Sequence, residues 1–189
     1  MRQEASRAVE HIVRCTRTPA RRDPPAGMMA FVNPVVVQRS RDIPVSPSAA
    51  FAATIPIDLT ALFCRWFGPI PPIREVRDQT GEWTSAPQRR TVLLTGGGSM
   101  REELVSADAP RSFEYRLTDI TGAMAPLVDH VDGRWRFDAT GTGSTVVTWS
   151  WTLYPRSALV RPLVVALGWV WLGYARRGLE QLERLITPN

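Results

Sequence analysis

Polar and apolar side chains alternate with a period of two through much of the second half of the chain. Phe113, Tyr115 and Leu117 alternate with Glu114 and Arg116. Trp135 and Phe137 alternate with Arg134, Arg136 and Asp138, and Trp149, Trp151 and Leu153 with Thr148, Ser150 and Thr152. Successive side chains of a strand point to opposite faces, so the pattern predicts a sheet with one covered aromatic face and one polar face. Strands are expected at 73–79, 89–95, 99–107, 112–120, 130–140 and 145–154. Thr80-Gly81, Gly96-Gly97-Gly98, Asp108-Ala109-Pro110 and Gly141-Thr142-Gly143 separate them, and such short turns imply antiparallel neighbours. Residues 121–129, with Gly122 and Pro126, read as a longer loop.

Before this block the pattern is mixed. Residues 35–43 are rich in β-branched side chains and predict a first strand, ended by Pro44. Ser46 followed by Pro47 predicts a helix start, with the serine as N-cap and the proline at the first helical position. A second helix is expected over 58–67, capped by Asp58, because Leu59, Leu62, Phe63, Trp66 and Phe67 fall at helical spacing. After the strands, residues 157–186 predict a long helix whose regular part begins around residues 159–161, since Pro162 is tolerated only near a helix start. Its apolar stripe runs through Leu163, Leu167, Val170, Trp171 and Tyr174 to Leu179, Leu182 and Ile186. Residues 162–175 are apolar on all sides, but Arg161 and Arg176 bracket only 14 residues there. A membrane span needs about 20. A buried helix is therefore expected, with contact at a membrane surface as the alternative.

Charge changes this picture little. The 189-residue chain carries a net charge of +5, yet its first 28 residues hold six arginines against Glu4, Glu10 and Asp23. What remains is spread thinly over the body, so no basic field for nucleic acid is expected. All 23 basic residues are arginine, a bias that suits a GC-rich genome better than a binding requirement. Cys15 and Cys64 form no metal-ligand spacing with each other or with a histidine, so neither a zinc site nor any other metal or cofactor site is expected, and a reducing cytoplasm fits. Residues 1–28 lack the apolar run of a secretory signal and end in Pro24-Pro25-Ala26-Gly27 before Met28-Met29. They read as a disordered tail, or as a start codon placed too early, ahead of one domain over 29–189.

The order of elements, one strand, two short helices, six strands and a long helix, is carried by local patterns. Ile43-Pro44-Val45-Ser46-Pro47-Ser48-Ala49-Ala50-Phe51 forms a strand-to-helix connection. Gly98-Ser99-Met100-Arg101-Glu102-Glu103, followed by Pro110-Arg111-Ser112-Phe113-Glu114-Tyr115, forms a central hairpin, and Thr145-Val146-Val147-Thr148-Trp149 a last strand. Together they resemble the START-like, helix-grip superfamily (SRPBCC), and within it the bacterial polyketide cyclase/dehydrase and lipid transport group. The resemblance spans about residues 34–186. It implies an α+β fold in which a curved, seven-stranded antiparallel sheet grips the C-terminal helix around a hydrophobic cavity. It does not imply one activity, because such folds host lipid binding, cyclase chemistry, sensing and co-chaperone roles.

The expected cavity wall comprises Phe63, Trp66, Tyr115, Leu117, Trp135, Phe137, Trp149, Trp151, Leu167 and Trp171, with Trp169 alongside. Plain core packing is the alternative for each. Glu102 and Glu103 are adjacent on a strand and so cannot act on one atom together. Glu103 and Arg116 are the polar candidates for the cavity, with surface pairing as the alternative. His130 is the one histidine of the body and the one candidate for proton transfer, although a solvated turn residue explains it as well. Gly96-Gly97-Gly98 joins two strands and lacks the lysine and hydroxyl of a phosphate loop, so it reads as a hairpin turn. The expected function is binding of a hydrophobic small molecule such as a lipid, isoprenoid or polyketide-like compound. The alternatives are a polyketide aromatase/cyclase or dehydratase using the same cavity, and a module that docks to a membrane or partner. Oligomeric state is open.

Overall fold

A computed structural model describes residues 32–141 and 143–187. The tail expected over 1–28, and the question of the start codon, lie outside the described residues. The elements are β1 (Val35–Ile43), α1 (Pro47–Thr54), α2 (Leu59–Leu62), β2 (Ile73–Arg77), β3 (Gln88–Leu94), β4 (Ser99–Asp108), β5 (Ser112–Thr118), β6 (Val128–Ala139), β7 (Thr145–Pro155) and α3 (Arg161–Ile186). A single 3-10 turn at Gly122–Met124 breaks the loop between β5 and β6.

The strands form one antiparallel sheet in the order β1-β7-β6-β5-β4-β3-β2. Strands β2 to β7 follow one another as hairpins. β1 pairs with the last strand, so α1 and α2 carry the chain from one edge of the sheet to the other. This is the seven-stranded helix-grip arrangement that the family resemblance implies.

Local chemistry sets the element boundaries. The Ser46 hydroxyl accepts from the Ala49 amide at 3.3 Å and Pro47 opens α1, so a free amide is satisfied where proline has none to offer. Asp58 caps α2 by accepting from the Thr60 amide at 2.8 Å. The second helix is much shorter than its periodicity predicts. It stops at Leu62 because the Phe63 backbone leaves the helical region and its carbonyl accepts from the Ile73 amide at 3.0 Å. Phe63 then stacks on Tyr174 at 5.2 Å, so tertiary packing outweighs local helix preference.

One line of α3 (Val164, Gly168, Trp171, Ala175, Gly178 and Leu182) is buried. Gly168 lets the helix close on β1, because a Cβ there would stand 3.0 Å from Val37 Cγ1. The expectation of a helix buried on all sides is corrected: Leu163 is 57% and Trp169 75% exposed. α3 lies mainly against β1, with lesser contacts to β7, α1 and α2, and among the described residues its opposite side faces solvent at Leu163 and Trp169. At one end of the sheet Phe51 of α1 packs edge-on against Phe113 and Phe137, closing that part of the core. Away from that end, the inner face of β3–β5 is left without a helix directly upon it, and that geometry creates the site.

Candidate functional site

A cavity of about 580 Å³ lies between the inner face of β3–β7, α2 with the loop after it, and α3. Its wall is almost wholly apolar, from Leu62, Val92, Met100 and Leu117 to Leu167 and Val170. Trp66 and Leu163, 54% and 57% exposed, stand where the wall meets solvent.

Register places the aromatics. Phe113, Trp135 and Trp149 occupy one row across β5, β6 and β7, and Tyr115, Gly133 and Trp151 occupy the next. Trp135 stacks on Trp149 with ring centres 4.9 Å apart and planes 10° apart. Trp149 also meets Phe63, Trp151, Trp171 and Tyr174, so one indole joins the sheet to the end of α2 and to α3. Gly133 supplies the gap in the second row: the Tyr115 ring fills the space a Cβ there would need. The tyrosine thus reaches across β6, and its hydroxyl accepts from Trp149 Nε1 at 2.8 Å and from Trp151 Nε1 at 2.7 Å.

Two charged residues line the cavity among those described, and they pair with each other. Arg90 on β3 and Glu102 on β4 are register partners, with Arg90 Nε donating to Glu102 Oε2 at 2.6 Å. Their side chains are only 6% and 7% exposed. Trp83, from the loop between β2 and β3, lies under the guanidinium with its ring centre 3.8 Å from Cζ. Such a pair is tolerable in an apolar interior only because each charge is neutralised at contact distance. Burial pushes the Tyr115 phenol well above its ordinary range, the Glu102 charge adds to this, and the two indole bonds pull the other way. Burial does the same to Tyr174, helped by Tyr115. Both phenols therefore stay protonated.

Of the residues expected in the wall, Phe63, Trp66, Tyr115, Leu117, Trp135, Trp149, Trp151, Leu167 and Trp171 line the cavity. Phe137 does not: two residues beyond Trp135 on β6, it is carried under α1 against Phe51 and Phe113. Of Trp169 and Trp171, both offered by the sequence, Trp169 points to solvent and Trp171 turns inward. The polar candidates are corrected in the same way. Glu103 faces outward and pairs with Arg89, and Arg116 pairs with Asp132 on the outer face. His130 lies on that outer face too, stacked on Tyr154 at 4.0 Å with Nδ1 bonded to Asp129, in a shallow polar depression away from the cavity.

Trp83, Arg90 and Glu102 were not anticipated in the wall. For the ion pair a signal existed: Arg90, Val92 and Leu94 alternate on β3, and Met100, Glu102 and Leu104 on β4. Glu102 thus shares its face with two apolar neighbours, whereas Glu103 does not. Trp83 sits in an irregular, turn-rich loop at a positive φ of 58°, where no periodicity exists to read.

Among the described residues no group of histidine, cysteine and carboxylate side chains is arranged to hold a metal, and no helix is long and apolar enough to cross a membrane. Residues 34–187 match the family described as "Polyketide cyclase / dehydrase and lipid transport". No curated protein matches the sequence. Solved structures share the fold at low identity. Norcoclaurine synthase from Thalictrum flavum, in complex with dopamine and hydroxybenzaldehyde, is 13% identical with a TM-score of 0.64, covering 89% of this chain and 96% of its own. The major latex-like protein 151 of Panax ginseng is 14% identical with a TM-score of 0.61, covering 83% and 100%. The protein XoxI of Bacillus cereus is 16% identical with a TM-score of 0.55, covering 80% and 94%. At these identities the likeness is one of fold.

Proposed function

Because the chain belongs to the polyketide cyclase/dehydrase and lipid transport family, we propose that it binds a hydrophobic small molecule, a lipid, isoprenoid or polyketide-like compound, between the sheet and α3. The observation that carries this reading is the cavity itself. Its volume of about 580 Å³ falls within the range of roughly 300–1,000 Å³ typical of small-molecule sites. A chain selected only for stability gains nothing from leaving such a space beside Trp149 and Trp171, since unfilled apolar volume costs packing energy. The complex of norcoclaurine synthase with two small aromatic compounds supports the reading by analogy of fold alone. On this reading the protein works in the cytoplasm and needs no nucleic acid.

Native mass spectrometry of the purified protein, joined to a tryptophan-quenching screen of fatty acids, isoprenoids and flat polycyclic compounds, tests the proposal. A co-purifying apolar mass, or saturable quenching by a member of the panel, is expected. A protein that carries nothing and binds nothing in that panel would end it.

A second reading, an enzyme that holds a polyketide for cyclisation or dehydration, is favoured by one observation: the Glu102 carboxylate and the Tyr115 hydroxyl stand in the wall of the same cavity. There the cavity would act mainly by positioning, with these groups moving protons. Turnover of a linear poly-β-ketone, lost in Glu102→Gln with binding retained, is its test.

A further inference from the structure

The cavity has one polar pole, and its chemistry is specific enough to name the kind of ligand that suits it. Arg90, Glu102 and Tyr115 come from adjacent strands β3, β4 and β5, with Glu102 opposite Leu117 and Tyr115 two residues before that leucine on the same face. The rest of the wall is mostly carbon, with Trp171 Nε1, buried and without a hydrogen-bond partner among the described residues, and the Tyr174 hydroxyl among its uncharged polar atoms.

Two features of this pole constrain what can bind. The first is charge. Arg90 and Glu102 are the charged residues of the wall among those described, and they neutralise each other at 2.6 Å. A carboxylate brought into the cavity would meet no free cation, and it would lie beside the carboxylate already present. Burying an unpaired anion is heavily penalised. The second feature is the state of the Tyr115 hydroxyl. Its oxygen accepts two indole N–H bonds, from Trp149 and Trp151, which occupies both lone pairs. Its own proton has no acceptor among the described residues. Two donors on the oxygen polarise that O–H and make it a better donor in turn. The raised phenol pKa keeps the proton in place.

We infer that the cavity takes an uncharged ligand that presents one accepting oxygen, a ketone or hydroxyl, to the Tyr115 hydroxyl, and that it discriminates against free carboxylates. This rests on reading the cavity as a ligand site. It narrows that reading to neutral oxygenated terpenoids or aromatic ketones and removes free fatty acids.

Two matched series test the inference through energy transfer from tryptophan or quenching at neutral pH. One is 1-ethylpyrene, 1-acetylpyrene and 1-pyrenecarboxylate, and the other is farnesene, farnesol and farnesoic acid. In the unaltered protein the ketone or alcohol should bind about tenfold more tightly than its hydrocarbon, the worth of one hydrogen bond. The acid should bind at least about tenfold more weakly than the ketone or alcohol. Tyr115→Phe removes that donor and leaves the Trp149 and Trp151 Nε1 groups without their acceptor, so the preference for the oxygenated member over its hydrocarbon should depart from that of the unaltered protein, and an unchanged preference would overturn the inference. Glu102→Gln leaves Arg90 without its counterion and should raise affinity for the acid about tenfold.

If the hydrocarbon and its oxygenated partner bind alike, or if the acid binds best to the unaltered protein, the inference is wrong although the cavity remains a ligand site. If no member of either series binds, the ligand site falls and the inference with it. Should either variant fail to fold, the ranking in the unaltered protein decides.

Discussion

Tyr115 and Gly133 are register partners on β5 and β6, and the phenol ring lies over the glycine where a side chain would stand. The glycine is thereby tied to the cavity's hydrogen-bond centre, although it contributes no polar atom. In an ordinary strand, alanine in place of glycine gains roughly 0.5–1 kcal/mol from lost chain entropy. Here Gly133→Ala is expected to have the opposite sign and cost about 1–3 kcal/mol, the usual range for overpacking. It should also swing the phenol away from Trp149 and Trp151, so urea unfolding and a shift in tryptophan emission should change together. A gain in stability would mean the ring is not held there in solution.

The tyrosines carry a pH signature. Tyr115, Tyr154 and Tyr174 are the three in the chain, and burial raises each phenol above its ordinary value of 10.0. A raised folded-state pKa means the unfolded chain loses these protons first, so the associated stability is fully present below pH 10 and is lost as pH rises beyond it. Absorbance at 295 nm should therefore rise in two steps. The more accessible Tyr154 ionises first in the native protein, and Tyr115 and Tyr174 ionise only with unfolding. Reversible ionisation of all three near pH 10, with native circular dichroism, would contradict the burial of the cavity wall.

The Arg90–Glu102 pair should behave as a unit. Removing one partner strands a buried charge, so Glu102→Leu alone is expected to cost about 3–5 kcal/mol. The double replacement Arg90→Met with Glu102→Leu removes both charges and should recover most of that loss. Thermal unfolding of the two single variants and the double variant completes the cycle. Additive losses would show that the two groups act independently.

Trp149 and Trp151 occupy the same face of β7 but differ in burial. Trp149 is 2% exposed and meets five other rings, whereas Trp151 is only partly buried. Trp149→Ala should cost about 3–5 kcal/mol, the range for truncating a large buried aromatic, and Trp151→Ala distinctly less. The corresponding Trp→Phe variants keep most of the packing and each remove one donor from Tyr115. Both should fold and bind the panel compounds more weakly than the parent. Unchanged binding in both would make these side chains core rather than ligand contacts.

His130 serves as the control. It stacks on Tyr154 on the outer face, away from the cavity. His130→Ala should leave both ligand affinity and ligand ranking unchanged in the same quenching titrations. A marked loss would imply a site on the polar face.

Much of this architecture is legible in the residues themselves. Val35–Ile43 is bounded as the β-branched run and Pro44 predict, and Ser46-Pro47 opens α1 as its capping chemistry requires. The inward set on β5–β7 follows from a period of two, because alternation is a property of the strand backbone alone. The same logic, applied to Met100, Glu102 and Leu104, places Glu102 inside and Glu103 outside.

Other features depend on which elements meet. The apolar stretch at the start of α3 is continuous, so periodicity alone leaves open which side would be covered. Contact with β1 and β7 decided it, burying Trp171 and leaving Trp169 in solvent. Phe137 obeys its alternation and still misses the cavity, because α1 rather than open space lies above its end of β6. Sequence period specifies the face on which a side chain emerges. What that side chain meets there, a ring, a charge or a void, is set by residues distant in the chain, and only their packing decides it.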